Sequence, residues 1–524
     1  MNRFFSTPRP RPLAVATALG LAAAVLGGCA VVAPGQPPLA YSAAGVAQAS
    51  AQPARPWPQA GWWRGYGDSQ LDRLIDAALA GNPSLDAARA RVEQARRQAD
   101  AVAGRDSLQV GAQVSAERIK YSENYIFPPA LAKHPQTDSL AALELSWDLD
   151  LWGRNREAVA ARLGQARAAE AEAHLAALGL SSRVAAVYFD LLAAWQEQVL
   201  VEARQALVAD LSAAAGRRVA AGLSPATERL LRETSQEQEA ARRAALATRI
   251  QTDRAVLAEL CASGKPEAAG ASPDLDLNLA PRPLPLADRA GLPADLSAEL
   301  LLRRPDLAAM EARWEATVHA RASAKADRLP QLSLSGLLGF QTLTFDQLLK
   351  GSSGTYGLGP ILTLPILDGG TRAATVALSD AETDEALATL RQGAAAALRE
   401  AVSAAANLDG ESRQSQALAG AAARQDEVAR RAERRVAAGL DPAPAAWDAR
   451  YRALQAEQER LAADTRRLAA DVALVRALGG GYHQSGDGAP AASATSSTSS
   501  TLSSSADGAE RPATLVSPKD NHHG

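Results

Sequence analysis

The chain is poor in cysteine and in aromatic residues. Its 524 residues include 2 cysteines, and aromatic residues make up 4% of the total. The two cysteines, Cys29 and Cys261, cannot build a disulfide framework. So few aromatic side chains also disfavour a series of ordinary globular cores. The abundance of alanine instead favours long helices that pack closely.

The chain also lacks a net positive charge and recognisable catalytic motifs. The net charge is −3, which excludes the basic footprint of a nucleic-acid-binding protein. There is no phosphate-binding Gly-rich loop and no Gly-x-Ser-x-Gly elbow. The histidines lack the spacing of metal ligands; they lie at 134, 174, 319, 483, 522 and 523. We therefore predict no enzymatic activity, no cofactor and no nucleic-acid partner.

Residues 1–28 are predicted to be a lipoprotein signal peptide. Arginines precede an apolar run over 13–26, which is too short to span a membrane as a stable helix. The run closes on Leu-Gly-Gly before Cys29, which resembles the bacterial lipoprotein cleavage motif, so Cys29 is the predicted lipidation site. An ordinary signal peptide that contains a cysteine is the alternative. Ala30 stands where an aspartate would favour the inner membrane, so outer-membrane lipid is the expected partner. No other apolar run has membrane length, and no transmembrane helix is predicted.

Three further segments have linker composition. Residues 29–60 are rich in proline, alanine and glutamine and are predicted to form an extended tether. Residues 264–294 are rich in proline and glycine and join two larger segments. The tail over 481–524 is rich in serine, threonine and glycine and is predicted to be disordered.

Seven residues occur twice and indicate an internal duplication. Arg-Arg-Val-Ala-Ala-Gly-Leu stands at 217–223 and again at 434–440, each time at the end of a long Ala/Arg/Glu-rich run. Gly222 and Gly439 suit the left-handed position just past a helix end. Ser-Pro follows the first copy and Asp-Pro the second, which predicts Ser224 and Asp441 as helix N-caps. Each copy is therefore a tight turn between two long antiparallel helices.

The two larger segments share the same order of elements. The first repeat covers 61–263 and the second 295–480, with Pro305 matching Pro83. Around that register, five residues of the second repeat match five of the first: Leu307, Ala309, Ala312, Arg313 and Glu315 match Leu85, Ala87, Ala90, Arg91 and Glu93. Long helices are predicted from 154 to 221 and from about 371 to 438, each roughly 100 Å long. Return helices follow over 224–260 and from 441 to about 478.

Each repeat also contains two stretches that alternate with a period of two. They lie at 108–117 and 143–151 in the first repeat, and at 332–340 and 356–366 in the second. About ten alternating residues are typical of a transmembrane β-barrel strand, and a half-buried soluble hairpin looks much the same. Pro360 and Pro365 weaken the last strand, because proline cannot donate to a ladder.

Four strands cannot close a barrel, and an open edge is not tolerated in lipid. Three copies of the chain would supply twelve strands, an even number within the range of bacterial barrels. Aromatic residues in or beside the strands suit interfacial girdles; they are Tyr121, Tyr125, Phe127, Trp147, Trp152, Phe340, Phe345 and Tyr356. The predicted fold is α+β: a tube of three copies with a 12-stranded β-barrel, four strands per chain, continued by a wall of long packed helices.

Five stretches, in this order, carry a resemblance to a known family. They are the segments at 62–68, 82–83, 146–154, 302–307 and 364–370. Together they are similar to the outer-membrane efflux factors, and within them to the lipidated outer-membrane components of tripartite multidrug pumps. The resemblance covers about 61–478. Arg105-Asp106-Ser107 departs from the family's proline-containing strand start and leaves the beginning of the first strand open.

The resemblance implies a homotrimer that forms a channel-tunnel, with a long periplasmic α-helical barrel below the 12-stranded β-barrel. It also implies two partners, a periplasmic adaptor protein and an inner-membrane pump, which is expected to be proton-driven. The chain would be a passive exit duct for small toxic compounds, with Gly222 and Gly439 at the periplasmic tips. An exit duct for secreted polypeptides is the alternative within the same class. A periplasmic coiled-coil scaffold explains the helices but not the alternating stretches, and a lipoprotein hydrolase lacks its nucleophile and base.

A resting tunnel must be closed, and the helix tips are the natural constriction. Asp448 lies seven residues after Asp441, near positions where the family carries acidic residues. Three symmetry-related carboxylates there would attract cations, and they can pair with Arg434 or Arg435 of neighbouring tips. The candidate gate is therefore Asp448, Asp441, Arg434 and Arg435. An N-cap role for Asp441 and a solvated helix face for Asp448 are the alternatives.

Overall fold

The fold is described from a computed structural model, over residues 56–124, 126, 128–262, 279–286, 293 and 303–483. The predicted signal peptide at 1–28, the lipidation site Cys29, most of the tether and most of the linker lie outside these residues. So do Tyr125, Phe127 and the tail from 484 onward.

The first repeat opens with a one-turn 3-10 helix, Trp62–Tyr66, and two capped helices. Helix α1, Ser69–Gly81, has Asp68 as its N-cap, whose carboxylate accepts from the Gln70 backbone N–H at 2.8 Å. Helix α2, Pro83–Ala103, has Asn82 as its N-cap, whose side chain accepts from the Ser84 backbone N–H at 2.9 Å. Both caps satisfy amides that have no partner inside a helix, which is why Asn82-Pro83 separates two helices.

Two long helical hairpins dominate the chain, as the duplicated turn predicts. The two long helices, α4 (Arg154–Ala220) and α7 (Thr371–Ala437), contain 67 residues each. Each is followed by a return helix, α5 (Ala226–Cys261) after α4 and α8 (Ala443–Ala477) after α7. At about 1.5 Å per residue, α4 and α7 are roughly 100 Å long. Helix α6, Pro305–Ala326, is the counterpart of α2.

The four alternating stretches form one antiparallel sheet in the order β1-β2-β3-β4. The strands are β1 (Gln109–Ile119), β2 (Gln136–Asp148), β3 (Gln331–Thr342) and β4 (Gly354–Thr363). A short helix α3, Pro129–Ala132, lies between β1 and β2. A 3-10 turn over Gly104–Asp106 precedes β1 and settles where that strand begins.

Three strand boundaries differ from the prediction by three residues or more. Strand β2 starts seven residues before the predicted position, because Ser139 and Leu140 pair with both β1 and β3. The same strand ends at Asp148, three residues before the predicted end. Strand β4 ends at Thr363, before Pro365. Pro360 lies inside β4, paired with Leu334; within the described sheet β4 is an edge strand, where proline is tolerated.

The main core surrounds the middle of α4. Val184, Tyr188 and Leu191 are fully buried there against the N-terminal aromatic residues and α1. The Tyr66 hydroxyl donates to Asp471 of α8 at 2.6 Å, which ties the start of the first repeat to the end of the second. One 18-residue stretch of α4 is apolar enough to cross a membrane, and 61% of it is buried inside the molecule. Packing in this core accounts for its apolar character.

Candidate functional site

The sheet has one apolar face that runs across all four strands. The register places Val110 opposite Leu145, and Leu143 opposite Leu338, which in turn pairs with Tyr356. This face carries no covering layer in the described chain, and large apolar side chains on it are exposed; they include Val110, Val114, Leu143, Trp147, Leu338, Tyr356, Leu358 and Leu362. Tyr356 is 87% exposed and Val114 78%. Such an exposed patch marks contact with lipid or a partner.

The opposite face is mostly polar or glycine. Its residues include Gln109, Gln113, Ser115, Glu144, Ser146, Ser335 and Thr355. The predicted alternation is thus confirmed. The register of the strand pairs places the apolar side of each strand next to the apolar side of its neighbour, and the polar side next to the polar side. The outer edges of β1 and β4 have no neighbouring strand within the described sheet.

One carboxylate joins the starts of both long helices beneath the sheet. Asp327 accepts from Arg154 of α4 at 3.3 Å and from Arg372 of α7 at 3.0 Å. Arg154 also donates to Asp148 at the end of β2, at 2.8 Å. The two arginines stand just after the matching glycines Gly153 and Gly370. The duplication aligns these two helix starts, but nothing local in the sequence pointed to Asp327 as their common partner.

The tip turns are confirmed. Gly222 and Gly439 both have φ near 70°. The Leu223 N–H donates to the Arg218 carbonyl at 2.8 Å, and the Gly222 N–H to Val219 at 3.0 Å. The second copy repeats both bonds with Leu440 and Gly439, at 2.9 Å each. This is the Schellman pattern, in which glycine at the left-handed position satisfies the last helical carbonyls.

The predicted N-caps at the tips were wrong. Pro225 and Pro442 occupy the capping positions, and neither provides a side-chain cap. Asp441 instead accepts from Arg435 across the turn, at 2.6 Å from Nε and 3.0 Å from Nη2. A bidentate guanidinium–carboxylate pair is stronger than a single neutral bond. The first copy has the uncharged Ser224 at this place, and its Arg218 lies 4.0 Å from Glu228 instead.

The Arg435 hydrogen bonds hold the pKa of Asp441 below its ordinary value of 3.8. A carboxylate whose pKa is lower in the folded than in the unfolded chain stabilises the fold when the pH is above the unfolded-state pKa. This stabilisation is lost as the pH falls through the folded-state pKa. The pair therefore persists throughout pH 5 to 8, where Asp441 stays ionised.

The other candidate gate residues also have partners within one chain. Asp448 lies 3.8 Å from Arg232, which joins α8 to α5 of the other hairpin. Arg434 donates to Glu427 of its own helix at 3.3 Å. The structure thus brings Arg435 and Asp441 together and keeps Asp448 with Arg232. Pairing between tips of different copies stays a prediction.

A buried charge network above the tips was missed by sequence analysis. Arg204 of α4 is fully buried, and its Nε lies 3.3 Å from Glu239 Oε2 of α5, without hydrogen-bond alignment. The Tyr451 hydroxyl of α8 donates to Glu239 at 3.0 Å, and Arg204 also donates to Gln458 of α8. The network joins the two hairpins. Its members are far apart in sequence. The only signal that could have predicted the network is the presence of opposite charges, Arg204 and Glu239, on the two helices of one predicted hairpin.

Cys261 is the one thiol among the residues that the structure describes. Cys261 is partly buried, and this burial raises its pKa to about 11. Among the residues that the structure describes, no three His, Cys, Asp or Glu side chains are grouped to hold a metal ion.

Comparisons of the sequence and of the structure with known proteins find outer-membrane and resistance proteins. The profile of the family described as outer membrane efflux protein matches residues 74–263 and 296–480. The multidrug resistance outer membrane protein MdtP of Shigella flexneri is 31% identical over 442 residues, 81% of this chain and 87% of MdtP. The fusaric acid resistance protein FusA of Burkholderia cepacia is 33% identical over 370 residues, 68% of this chain and 67% of FusA. The solved structure of the outer membrane protein VceC of Vibrio cholerae has a TM-score of 0.72 at 27% identity, over 82% of this chain and 100% of VceC.

Proposed function

The chain belongs to the outer membrane efflux protein family, and we propose that it is the outer-membrane channel of a tripartite efflux system. It acts as a passive exit duct for small toxic compounds, which an inner-membrane pump delivers through a periplasmic adaptor. One observation carries the proposal: an uncovered sheet with one apolar and one polar face, joined directly to helices roughly 100 Å long. The drug and fusaric acid resistance named for two relatives supports small compounds as cargo.

The unpaired edges of β1 and β4 support a trimer. An exposed strand edge in lipid leaves backbone N–H and C=O groups without partners, at several kcal/mol each. Pairing β1 of one copy with β4 of the next satisfies both edges. Three copies close a 12-stranded barrel, with the apolar face toward lipid and the polar face toward the lumen. The helices of the three copies then continue as a second barrel through the periplasm.

Deletion of the gene in its host tests the function. We expect higher intracellular accumulation of a fluorescent efflux dye and increased drug susceptibility, both restored by the wild-type gene. Light scattering of the detergent-solubilised protein should give the mass of a trimer. Unchanged dye accumulation together with loss of a protein from the culture medium would favour polypeptide secretion instead.

Lipidation of Cys29 remains part of the proposal. The small residues before it and the Pro/Ala-rich tether after it support cleavage at this position. Mass spectrometry of the mature protein should find Cys29 as the first residue, carrying acyl chains. An unmodified Cys29, or a different first residue, contradicts this part of the proposal and leaves the channel itself untouched.

A further inference from the structure

Residues 279–286, in the linker between the two repeats, lie against the first repeat as an extended segment. Their sequence is Leu-Ala-Pro-Arg-Pro-Leu-Pro-Leu, and none of them belongs to a helix or a strand. Proline fixes its own φ and disfavours the helical region for the residue before it, so three prolines at alternate positions keep the chain extended here. We call residues 279–286 the docked segment.

Two glutamines of the first repeat bind the backbone of the docked segment. The Gln70 side chain of α1 is 1% exposed. Its Nε2 donates to the Ala280 carbonyl at 3.0 Å, and its Oε1 accepts from the Ala280 N–H at 2.8 Å. Gln196 of α4 donates to the Arg282 carbonyl at 3.1 Å. A side-chain amide that satisfies both polar backbone groups of one residue is a means of holding a peptide ligand.

A buried carboxylate binds the single charged side chain of the docked segment. Asp68, the N-cap of α1, is 5% exposed. Its Oδ1 accepts from Arg282 Nη1 at 3.0 Å, and its Oδ2 accepts from the hydroxyl of the fully buried Tyr188 at 2.6 Å. Arg282 thus supplies the positive charge that a carboxylate away from water requires.

Two leucines anchor the docked segment in the main core. Leu279 and Leu284 are partly buried and pack against the buried residues of that core. Pro281 and Pro283 are exposed. The segment therefore combines apolar anchors, a charged side chain and bound backbone groups on the side that meets the protein, which is how extended proline-rich peptides are recognised.

The second repeat is covered in a similar way. Trp57 packs against a cluster on α7 whose members correspond, by the duplication, to buried positions of α4 in the main core. The corresponding pairs are Ala397 and Leu180, Ala401 and Val184, Ala404 and Val187, and Leu408 and Leu191. Trp57 stands in Arg-Pro-Trp-Pro and Leu284 in Arg-Pro-Leu-Pro. A proline-rich segment that precedes one repeat thus covers the core position of the other, in both directions.

We propose that the surface around Asp68 and Gln70 is a peptide-recognition site. Its ligand is an extended proline-rich peptide that carries one arginine, and the docked segment occupies the site within the same chain. Hydrogen bonds, the ion pair and the leucine anchors hold the segment there without help from its covalent connections. The site lies on α1 and the middle of α4, away from the sheet and the tips, so peptide recognition is separate from transport.

Excision of the docked segment from the folded protein tests this proposal. Cleavage sites for a specific protease are inserted within 264–278 and within 287–292, so the chain folds with its own segment in place and is cut afterwards. We expect the excised peptide to co-elute with the protein in size-exclusion chromatography. An excess of the synthetic octapeptide Leu-Ala-Pro-Arg-Pro-Leu-Pro-Leu should displace it, and the same octapeptide with Arg282→Glu should not.

Two variants of the cleavable chain test the contacts. Arg282→Glu places two carboxylates together, and Gln70→Ala removes both hydrogen bonds to Ala280. After cleavage each variant should lose the peptide at least about tenfold faster than the wild type. Circular dichroism before cleavage checks that each variant is folded. The matched control is Gln98→Ala, which changes an exposed glutamine of α2 and should retain the peptide as the wild type does.

Hydrogen exchange of the uncut chain provides a second measurement. The Ala280 N–H should be protected in the wild type, because its acceptor is the buried Gln70 side chain. Gln70→Ala should accelerate its exchange at least about tenfold, and Gln98→Ala should leave it unchanged. An Ala280 N–H that exchanges in the wild type as fast as in a free peptide contradicts the proposed binding.

The outcomes of the excision separate recognition from mere attachment. Loss of the excised peptide from the wild-type protein during one chromatographic run overturns the proposal, because the covalent connections would then hold the segment in place. Equal retention by the wild type, Arg282→Glu and Gln70→Ala also overturns it, because apolar packing without recognition would explain that result. Both results leave the proposed channel intact.

Discussion

Arg204 and Glu239 are charged side chains held where water does not reach. Arg204 is fully buried and Glu239 is 1% exposed, and they belong to the two helices of the first hairpin. Tyr451 and Gln458 from α8 supply polar partners. Because α8 belongs to the second hairpin, this network fixes the rotation of one hairpin against the other about 20 Å above the tips.

Removal of one member should be costly. We expect Glu239→Ala to lower the free energy of unfolding by about 3–5 kcal/mol, because it leaves the Arg204 charge buried without compensation. Arg204→Met/Glu239→Leu should cost much less, since no charge remains inside. Chemical denaturation followed by circular dichroism measures both. Glu237→Ala, an exposed neighbour on the same helix, is the control. Equal destabilisation by Glu239→Ala and Glu237→Ala would contradict this account.

The Cys261 thiol should be slow to react in the folded protein. Its pKa is raised to about 11 by burial, from an ordinary value of 9.0, so the reactive thiolate is scarce at pH 8. We expect labelling by a maleimide at pH 8 to be about 100-fold slower than in the denatured chain, and to accelerate about tenfold per pH unit toward pH 11. Peptide mapping locates the label. Equal rates in folded and denatured protein would show that the thiol is accessible and unperturbed.

At the scale of elements, the two tip turns depend on glycine. Gly439 has φ near 70°, and a side chain in the left-handed region costs about 1–2 kcal/mol. We expect Gly439→Ala to destabilise the tip by about this amount, seen as faster hydrogen exchange of the neighbouring amides. The control is Gly410→Ala inside α7, where an added Cβ meets nothing within 4 Å. There alanine should instead stabilise the helix by about 1 kcal/mol. A loss of stability at both positions would show that the left-handed conformation is not the cause.

The candidate gate is a second property of the tips. Asp448 lies 3.8 Å from Arg232 of the other hairpin, so it helps to hold α8 against α5. If it also faces the axis, Asp448→Ala should raise the conductance of the channel in a planar bilayer and weaken its preference for cations. Asp441→Asn, which weakens the pair inside one turn, is the comparison. Unchanged conductance and unchanged selectivity for Asp448→Ala would remove this residue from the gate.

At the scale of the whole molecule, the sheet lies at one end of the long helices and the glycine turns at the other. The loops that join the strands, at 120–135 and 343–353, therefore lie on the side away from the helices. With the helices in the periplasm, a cysteine introduced at Ser352 should be labelled by an impermeant maleimide in intact cells. A cysteine at Ser224 should be labelled only after the outer membrane is opened. Labelling at Ser224 in intact cells would reverse the proposed orientation.

The sequence alone determined the duplication, the turns at Gly222 and Gly439, the four strands and the lengths of the helices. Each of these depends on local rules: a period of two for strands, uninterrupted helix-forming residues for α4 and α7, and the missing Cβ of glycine at a left-handed position. The alternation of residues also predicted which face of each strand is apolar, because successive side chains of a strand must point to opposite faces.

The tertiary structure alone decided which distant charges meet. Asp441 was predicted to cap a helix, but the path of the turn brings it to Arg435. Asp327 joins Arg154 to Arg372, and Glu239 lies beside Arg204, because α4 has one particular rotation against its neighbours. Alanine is spread around all sides of α4, so the sequence of this helix does not mark one distinct apolar face that would define its rotation. The rotation is set by close packing at small residues such as Gly164 against Ala316, and such contacts exist only once both repeats have folded together.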